Sequence, residues 1–206
     1  MRMRRRAARD EGTSLIELMV GMMLMLIFMG MFTAAVILMN RSANKVESVS
    51  LTSTQVNTAF LKLDRMVRYA AAISAPGNTT SSGDWYVELR TTNTGTEVCT
   101  QLRFDIATSQ LQKRSWRVSG GTAAGLSAWT QLAGNITNGG ATAGSADQPF
   151  VLTPPGSNTD HQRLGINMVS YYGSATNATS RSSISFTALN SSPPVPASIC
   201  QEVTRP

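Results

Sequence analysis

The most constraining feature of the sequence is an uncharged, apolar run from Leu18 to Met39. At 1.5 Å of rise per helical residue, the run extends roughly 33 Å, which is enough to cross a hydrocarbon core of about 30 Å. The sequence therefore predicts one membrane-spanning helix, which we place at residues 13–40.

A single carboxylate, Glu17, lies at the start of this run, between Ile16 and Leu18. An ionised side chain costs on the order of 2.5–3.5 kcal/mol at the centre of a membrane helix, and less near an end, so it usually has a functional partner. No Lys or Arg lies within two helical turns on the apolar side. The partner of Glu17 must therefore come from elsewhere.

The residues before the run are basic and hydrophilic, and they end in Gly12-Thr13-Ser14. Together with the sequence Ser-Leu-Ile-Glu-Leu-Met-Val, this segment resembles the prepilin signal of type IV pilins and type II secretion pseudopilins. The resemblance implies that a membrane-embedded aspartyl prepilin peptidase cleaves after Gly12, removes residues 1–12 as a leader peptide and methylates the new N-terminus at Thr13. It also implies that Glu17, the fifth mature residue, pairs with the terminal amine of a neighbouring subunit during assembly.

The residues themselves fit this chemistry. Gly12 lets an extended backbone enter an active site without a side-chain clash, and cleavage creates a cation at Thr13 one helical turn from the Glu17 anion. Attraction between such charges is strong at low dielectric, so Glu17 would set the register of neighbouring helices.

A signal peptide or a plain signal anchor is the alternative. The apolar run is too long for a signal peptide and has no Ala-x-Ala site after it, and a plain anchor does not explain the Gly12–Glu17 spacing.

Charge predicts the orientation of the chain. Five Arg residues precede the run, against Arg41 and Lys45 after it, so the positive-inside rule keeps the N-terminus in the cytoplasm and exports residues 41–206. The leader accounts for +3 of the formal charge of +6. The later Arg residues are dispersed along the chain, and the sequence indicates no basic patch.

Cys99 and Cys200 are the only two cysteines, and export would place them in an oxidising compartment. A bridge between them would close a loop of about 100 residues and stabilise the fold by up to roughly 4–5 kcal/mol. Two free thiols are the alternative. The resemblance favours the bridge, because C-terminal disulfides are common in pilin heads.

An amphipathic helix is predicted for residues 41–75, because apolar residues recur at helical spacing through this segment. No Pro occurs from residue 14 to 74, so this helix and the apolar run can be continuous, and Pro76-Gly77-Asn78 predicts its end. The stretch from Leu61 to Ala70 is similar to minor subunits of the J-type pseudopilin and PilW-like group.

Residues 76–206 have the short periods and the β-branched and aromatic residues of a β-rich head. Strands are predicted at 85–90, 98–104, 111–118, 130–132, 150–152, 164–172 and 182–189, and the Gly, Ser, Thr and Ala clusters at 120–127 and 138–146 are predicted loops. The predicted fold class is α+β and pilin-like, with a long N-terminal membrane-spanning and then amphipathic helix packed on a mainly antiparallel sheet.

Catalytic and metal-binding patterns are not found in the sequence. His161 is the only histidine and lies in a turn, no cysteine pair has ligand spacing, and no nucleophile has a recognisable base. We therefore predict a protein that is not an enzyme, with no metal and no cofactor.

The leading functional hypothesis is a minor pilin or pseudopilin, processed by prepilin peptidase and assembled with other subunits at a membrane platform into a type IV pilus or a type II secretion pseudopilus. A priming or tip position suits the large head. A ligand-binding or DNA-binding tip subunit is the alternative: Trp85, Trp116 and Trp129, with Arg90, Arg114 and Arg117, would contact nucleic acid by stacking and charge, although strand Trp residues are more often core. A single-pass anchored exported domain outside any fibre is the third hypothesis.

Overall fold

The computed structural model describes residues 14–79, 82–92, 95–138, 141–156, 159–171, 179–194 and 199–205. Across these ranges one helix, α1 (Leu15–Arg68), precedes ten strands. The strands are β1 (Ala72–Ile73), β2 (Gly77–Asn78), β3 (Trp85–Thr91), β4 (Glu97–Asp105), β5 (Gln110–Ser119), β6 (Thr122–Ala124), β7 (Thr130–Ala133), β8 (Phe150–Thr153), β9 (Arg163–Tyr171) and β10 (Thr179–Thr187). All the strand pairings are antiparallel, so the predicted α+β class is confirmed.

The chain divides into two compact units, Met1–Val46 and Glu47–Pro206, which we call the N-terminal unit and the C-terminal unit. In the N-terminal unit, α1 from Leu15 to Asn44 is long and apolar enough to span a membrane or to act as a signal sequence. None of its most apolar window is buried within the protein. The predicted apolar helix is therefore confirmed in its length and its composition.

The C-terminal part of α1 buries the predicted apolar stripe. Val56, Ala59, Leu63 and Val67 are buried in the main core, where Ala70 joins them just beyond the helix end. These positions are three or four residues apart and therefore lie on one face of the helix. Phe60 of the same segment is half-buried and packs 6.1 Å from Phe186 of β10, measured between ring centroids.

The helix ends at Arg68, earlier than the predicted residue 75. Ala70, Ala71 and Ala72 have high helix propensity, but sheet pairing prevails. The N–H of Ala71 donates to the carbonyl of Arg90 at 2.7 Å, and β1 pairs Ala72 with Arg90 and Ile73 with Leu89. The chain therefore enters the sheet before it reaches Pro76.

The larger sheet has the order β1-β3-β4-β5-β6, with β2 beside β3 and β7 beside β5. Side chains alternate between its faces, so Val87 and Leu89 lie in the main core while Tyr86 and Glu88 lie on the opposite face. Cross-strand pairing extends that opposite face to Gln101, Arg103 and Arg114. We call this set of five residues the polar face.

The smaller sheet has the order β10-β9-β8. It contributes Phe150, Leu164, Ile166, Met168 and Phe186 to the main core. All seven predicted strands are confirmed, and their ends differ from the predicted ones by at most three residues where the structure describes them.

The sheets also contain features that were not predicted. The cluster 120–127, predicted as a loop, contains β6, which pairs Thr122 with Ser119 through a two-residue turn of Gly120 and Gly121, both with positive φ. Such a turn is the typical connection of a tight hairpin.

The side-chain amide of Gln162 accepts from the N–H of Ile73 at 2.8 Å and donates to its carbonyl at 2.9 Å, as a neighbouring strand would.

Candidate functional site

The first turn of α1 carries the predicted assembly residue. The carbonyl of Ser14 accepts hydrogen bonds from the N–H groups of Glu17, at 2.9 Å, and Leu18, at 3.2 Å, so Ser14 is the residue at which the helix begins. Ser14-x-x-Glu17 has the sequence of a capping box, which is a signal for the start of a helix. The sequence analysis interpreted these residues only through the resemblance to a prepilin signal. Gly12 and Thr13, the predicted cleavage and methylation residues, lie outside the described residues.

Glu17 is exposed and is surrounded along the chain by exposed apolar side chains. Leu15, Ile16 and Leu18 are 78%, 69% and 55% exposed. A carboxylate in the first turn also interacts favourably with the helix dipole, by about 0.3–1 kcal/mol at an exposed site. This contribution requires no second chain, so the helix tolerates the charge at this end while the carboxylate stays accessible.

The predicted disulfide is present. Cys99 of β4 and Cys200 are bonded, with their Cα atoms 5.7 Å apart, so the alternative of two free thiols is wrong. Both residues are buried in a small cluster with Ala72, Trp116 and Ile199. The bond fixes residues 199–205, which we call the C-terminal strap, to the larger sheet.

A buried ion pair holds the far end of the strap. Arg205 donates from Nε to Oε1 of Glu88 at 2.9 Å and from one terminal nitrogen to Oε2 at 2.6 Å, which is a bidentate contact. Gln101 Nε2 donates to Oε1 at 2.8 Å, and the Ser74 hydroxyl donates to Oε2. The Glu88 side chain is only 5% exposed, and both of its oxygens are fully bonded.

These contacts set the protonation of Glu88. Burial alone would raise the pKa of the carboxyl group, but hydrogen bonds from Arg205, Gln101 and Ser74 outweigh that effect, and the pKa lies below its usual value. Glu88 is therefore a carboxylate at neutral pH. Its charge is satisfied within the chain and is not free to act as a base or to hold a cation.

The strap covers part of the polar face. Arg114 donates from Nε to Gln101 at 2.8 Å and from a terminal nitrogen to the carbonyl of Thr204 at 3.2 Å, and its burial lowers the pKa of its guanidinium group. The indole Nε1 of Trp116 lies 3.5 Å from a carboxylate oxygen of Glu202. A connected network of hydrogen bonds therefore joins the strap to the part of the face that contains Glu88, Gln101 and Arg114.

An open cavity of about 780 Å³ lies beside the strap and is lined by Ile73, Glu88, Leu152, Gln162 and Val203 among others. Its two buried polar side chains already have partners: Glu88 bonds Arg205, and Gln162 bonds the backbone of Ile73. The charged side chains of the lining, Glu88 and Arg205, are paired with each other, so the cavity offers no unpaired charge with which to orient a ligand.

The three Trp residues of the nucleic-acid hypothesis lie in different parts of the C-terminal unit. Trp85 lies in the main core and Trp116 in the disulfide cluster, so neither ring is available to stack on a base, and this part of the hypothesis is wrong. Trp129 is half-buried, with the guanidinium carbons of Arg103 and Arg114 at 4.3 and 4.5 Å from its ring centroid. Its ring therefore already has cationic partners within the chain.

Two of the Arg residues of that hypothesis are likewise engaged. Arg114 is bonded to Gln101 and the strap, and Arg90 lies 3.4 Å from Glu97. Arg117 is exposed on β5, and its β4 partner is Val98. The structure brings Trp129 and Arg114 together, but it does not gather the six predicted Trp and Arg residues at one accessible surface.

His161 is half-buried, and its Nδ1 lies 2.6 Å from the carbonyl oxygen of Ser191. Within the described ranges, no group of three or more His, Cys, Asp or Glu residues is placed to hold a metal ion.

The chain matches no family model, no curated protein and no solved structure.

Sequence reasoning missed Glu88, Arg205 and Gln162. A signal existed for the first two: Glu88 alternates with the apolar residues Val87 and Leu89 on one strand, and Arg205 follows a bridged cysteine by five residues. The role of Gln162 has no local signal, because it depends on a residue 89 positions away.

Proposed function

We propose that the chain is a minor pilin or pseudopilin subunit, cleaved by prepilin peptidase after Gly12 and assembled through its N-terminal helix into a type IV pilus or a type II secretion pseudopilus. The observation that carries the proposal is the first turn of α1, where the accessible carboxylate of Glu17 lies among exposed apolar side chains. An apolar helix with no internal packing requires a lipid or protein environment, and a carboxylate within it requires a cationic partner.

Cleavage after Gly12 supplies that cation. It leaves an ammonium group on Thr13, four positions before Glu17, and no Lys or Arg occurs from Leu15 to Asn40. Two neighbouring mature helices therefore each carry one cation and one anion, about one helical turn apart. Pairing the ammonium of one helix with the carboxylate of the next lowers the burial cost of both charges and fixes the axial register.

The C-terminal unit supports a structural role for the exported part of the subunit. It has a core shared by α1 and two sheets, and the strap is held by a disulfide and a buried ion pair. We propose that this unit is not catalytic and acts as the exposed head at a priming or tip position. The proposed partners are prepilin peptidase, other pilin-like subunits and the membrane assembly platform, with the N-terminus in the cytoplasm and the head exported.

Mass spectrometry of the N-terminus tests the proposal. The protein is extracted from membranes of a host that expresses a prepilin peptidase, and we expect a mature chain that starts at Thr13, with a methyl group on its amine. Gly12→Val should prevent cleavage by placing a branched side chain at the cut. Gly21→Ala is the matched control, because a Cβ at Gly21 meets nothing within 4 Å.

A chain that keeps the Arg-rich leader in the presence of an active peptidase contradicts the proposal. A single-pass anchored domain would then be the better description. Cleavage at a position other than Gly12 would also contradict it, because Glu17 would lose its position relative to the new amine.

A further inference from the structure

Strand β10 forms an edge of the smaller sheet, and no described residue pairs with its outer side. It is nine residues long and pairs with β9 from Thr179 to Thr187 without a register shift. The opposite edge, β8, has four residues, and the larger sheet ends in strands of two to four residues. The protein therefore has one long, regular open edge among the residues described.

The outward backbone groups of β10 can be assigned. The N–H of Ala188 donates to the carbonyl of Gln162, one step beyond the pair Thr187–Arg163, so the even-numbered residues of β10 exchange hydrogen bonds with β9. The hydrogen bond from the N–H of Asn167 to the carbonyl of Pro149 agrees with this assignment, because it shows that the backbone groups of the odd-numbered β9 residues point toward β8. The N–H and C=O groups of the odd-numbered β10 residues, Thr179, Arg181, Ser183, Ser185 and Thr187, therefore point outward.

From Thr179 to Thr187 this edge lacks the features that usually prevent strand pairing; just beyond it, the N–H of Leu189 donates to the carbonyl of Arg68 at the end of α1. Proteins protect an exposed edge with Pro, Lys, a bulge or a covering segment. In contrast, β10 has neither Pro nor Lys, and its single charge, Arg181, forms an ion pair with Asp147. The edge of β1 shows the usual protection, because the Gln162 amide occupies Ile73 and Arg205 donates to the carbonyl of Ala75 at 2.8 Å.

We propose that β10 pairs antiparallel with β10 of a second copy of the chain, about a twofold axis at Ser183. This register places Ser183 opposite Ser183, Arg181 opposite Ser185 and Thr179 opposite Thr187. Five outward-facing pairs then exchange about ten backbone hydrogen bonds. No like charges meet, and the Ser and Thr pairs can hydrogen-bond through their side chains, so the strand is complementary to itself.

Cysteine cross-linking of the full-length protein in detergent micelles tests the register. In the paired strands the two Ser183 Cα atoms lie about 5.5 Å apart, within disulfide range, whereas the two Ser185 Cα atoms lie about 14 Å apart. With a mild oxidant we expect Ser183→Cys to form a covalent dimer, and Ser185→Cys to form at least about tenfold less. Both serines are exposed on the same strand, which makes them matched positions.

Charge substitution provides an independent measurement. Ser183→Lys and Ser183→Glu each place like charges directly opposite one another, and we expect each to weaken self-association about fivefold in light scattering. An equimolar mixture of the two variants should restore association, because the pair then carries opposite charges. Recovery in the mixture also shows that both variants are folded.

Three outcomes overturn the inference: no dimer from Ser183→Cys, equal cross-linking at positions 183 and 185, or cross-linking of Ser183→Cys mainly to a different protein. The last would identify β10 as an edge for a heterologous strand. These results are independent of cleavage after Gly12, so they do not test the proposed function.

Discussion

The two compact units use the same helix in opposite ways. In the N-terminal unit the large apolar side chains face outward, as Leu24 does at 51% exposure, whereas in the C-terminal unit Leu63 is fully buried. The apolar side chains of the first unit are therefore available to contact the environment of the protein, whereas those of the second unit pack against other residues of the same chain. A substitution in the first unit should change assembly without changing head stability, and a substitution in the second should do the reverse.

Glu17→Ala should have the largest effect on assembly. We expect incorporation into sheared fibres to fall at least about tenfold, because loss of the charge pair removes more than about 1.4 kcal/mol at low dielectric. Cleavage, membrane insertion and head stability should be unchanged. Immunoblotting of the sheared fraction measures the effect, and Glu47→Ala, the other exposed glutamate of α1, is the control. Full incorporation of Glu17→Ala would show that the carboxylate does not set the register.

Removal of the disulfide should have the largest effect on the head. Cys200→Ser should lower the free energy of unfolding by about 4 kcal/mol, because the bridge closes a loop of about 100 residues. Denaturation followed by Trp fluorescence reports on the C-terminal unit alone, since all three Trp residues lie there. Reduction of the unmodified protein should reproduce the loss. A change below about 1 kcal/mol would mean that the rest of the strap holds without the bridge.

Truncation of the buried helix stripe should have the next largest effect. Leu63→Ala should lower the free energy of unfolding by about 3 kcal/mol, since it removes buried methyl groups and leaves a cavity. Leu61→Ala, two residues earlier and 75% exposed, should change it by less than about 0.5 kcal/mol. Similar losses at both positions in the same assay would show that the outer face of this part of α1 is also packed.

The ion pair of the strap should have the smallest effect, and one that depends on pH. Glu88→Gln should lower the free energy of unfolding at pH 7 by about 2 kcal/mol, as expected for loss of hydrogen bonds to a charged group. The folded-state pKa of Glu88 lies below its unfolded value, so the contribution is complete above the unfolded pKa, about 4.3, and is lost as the pH falls through the folded pKa.

A comparison of unfolding at pH 7 and pH 3 checks this dependence. The difference between the unmodified protein and Glu88→Gln should shrink as the pH falls. Glu97→Gln, which removes a more exposed pairing with Arg90, is the control and should have a smaller effect at pH 7. A constant difference across this range would assign the effect of Glu88→Gln to packing.

Sequence reasoning succeeded where the signal is local or strongly periodic. An uncharged run of 22 residues predicts the apolar helix, and strict alternation predicts strands such as Trp85–Thr91. It placed the helix end at 75 because Pro76-Gly77-Asn78 is the first stop signal along the chain, whereas the observed end at Arg68 depends on Arg90 and Leu89 of another strand. The hairpin at Gly120-Gly121 was available from the sequence, since paired glycines between short apolar segments are a turn signal.

The candidate site was predictable only in part. The Cys99–Cys200 bond was predicted because there are only two cysteines, whereas Glu17 was selected because a charge beside an apolar run is conspicuous in the sequence, and its role in assembly stays a prediction. The Glu88–Arg205 pair joins residues 117 positions apart, and nothing near either residue specifies the other. Such a pairing follows from sheet topology, which composition and periodicity do not determine.

The strap also determines the order in which the protein is completed. Every described strand precedes residue 199 in the chain, and Cys200 follows Cys99 by 101 positions. During synthesis both sheets therefore emerge before the segment that covers them, and Glu88 stays in contact with solvent until Arg205 arrives. The last residues of the C-terminal unit thus act as a closure, and a ribosome that stalls before them would leave a nascent head with an open side.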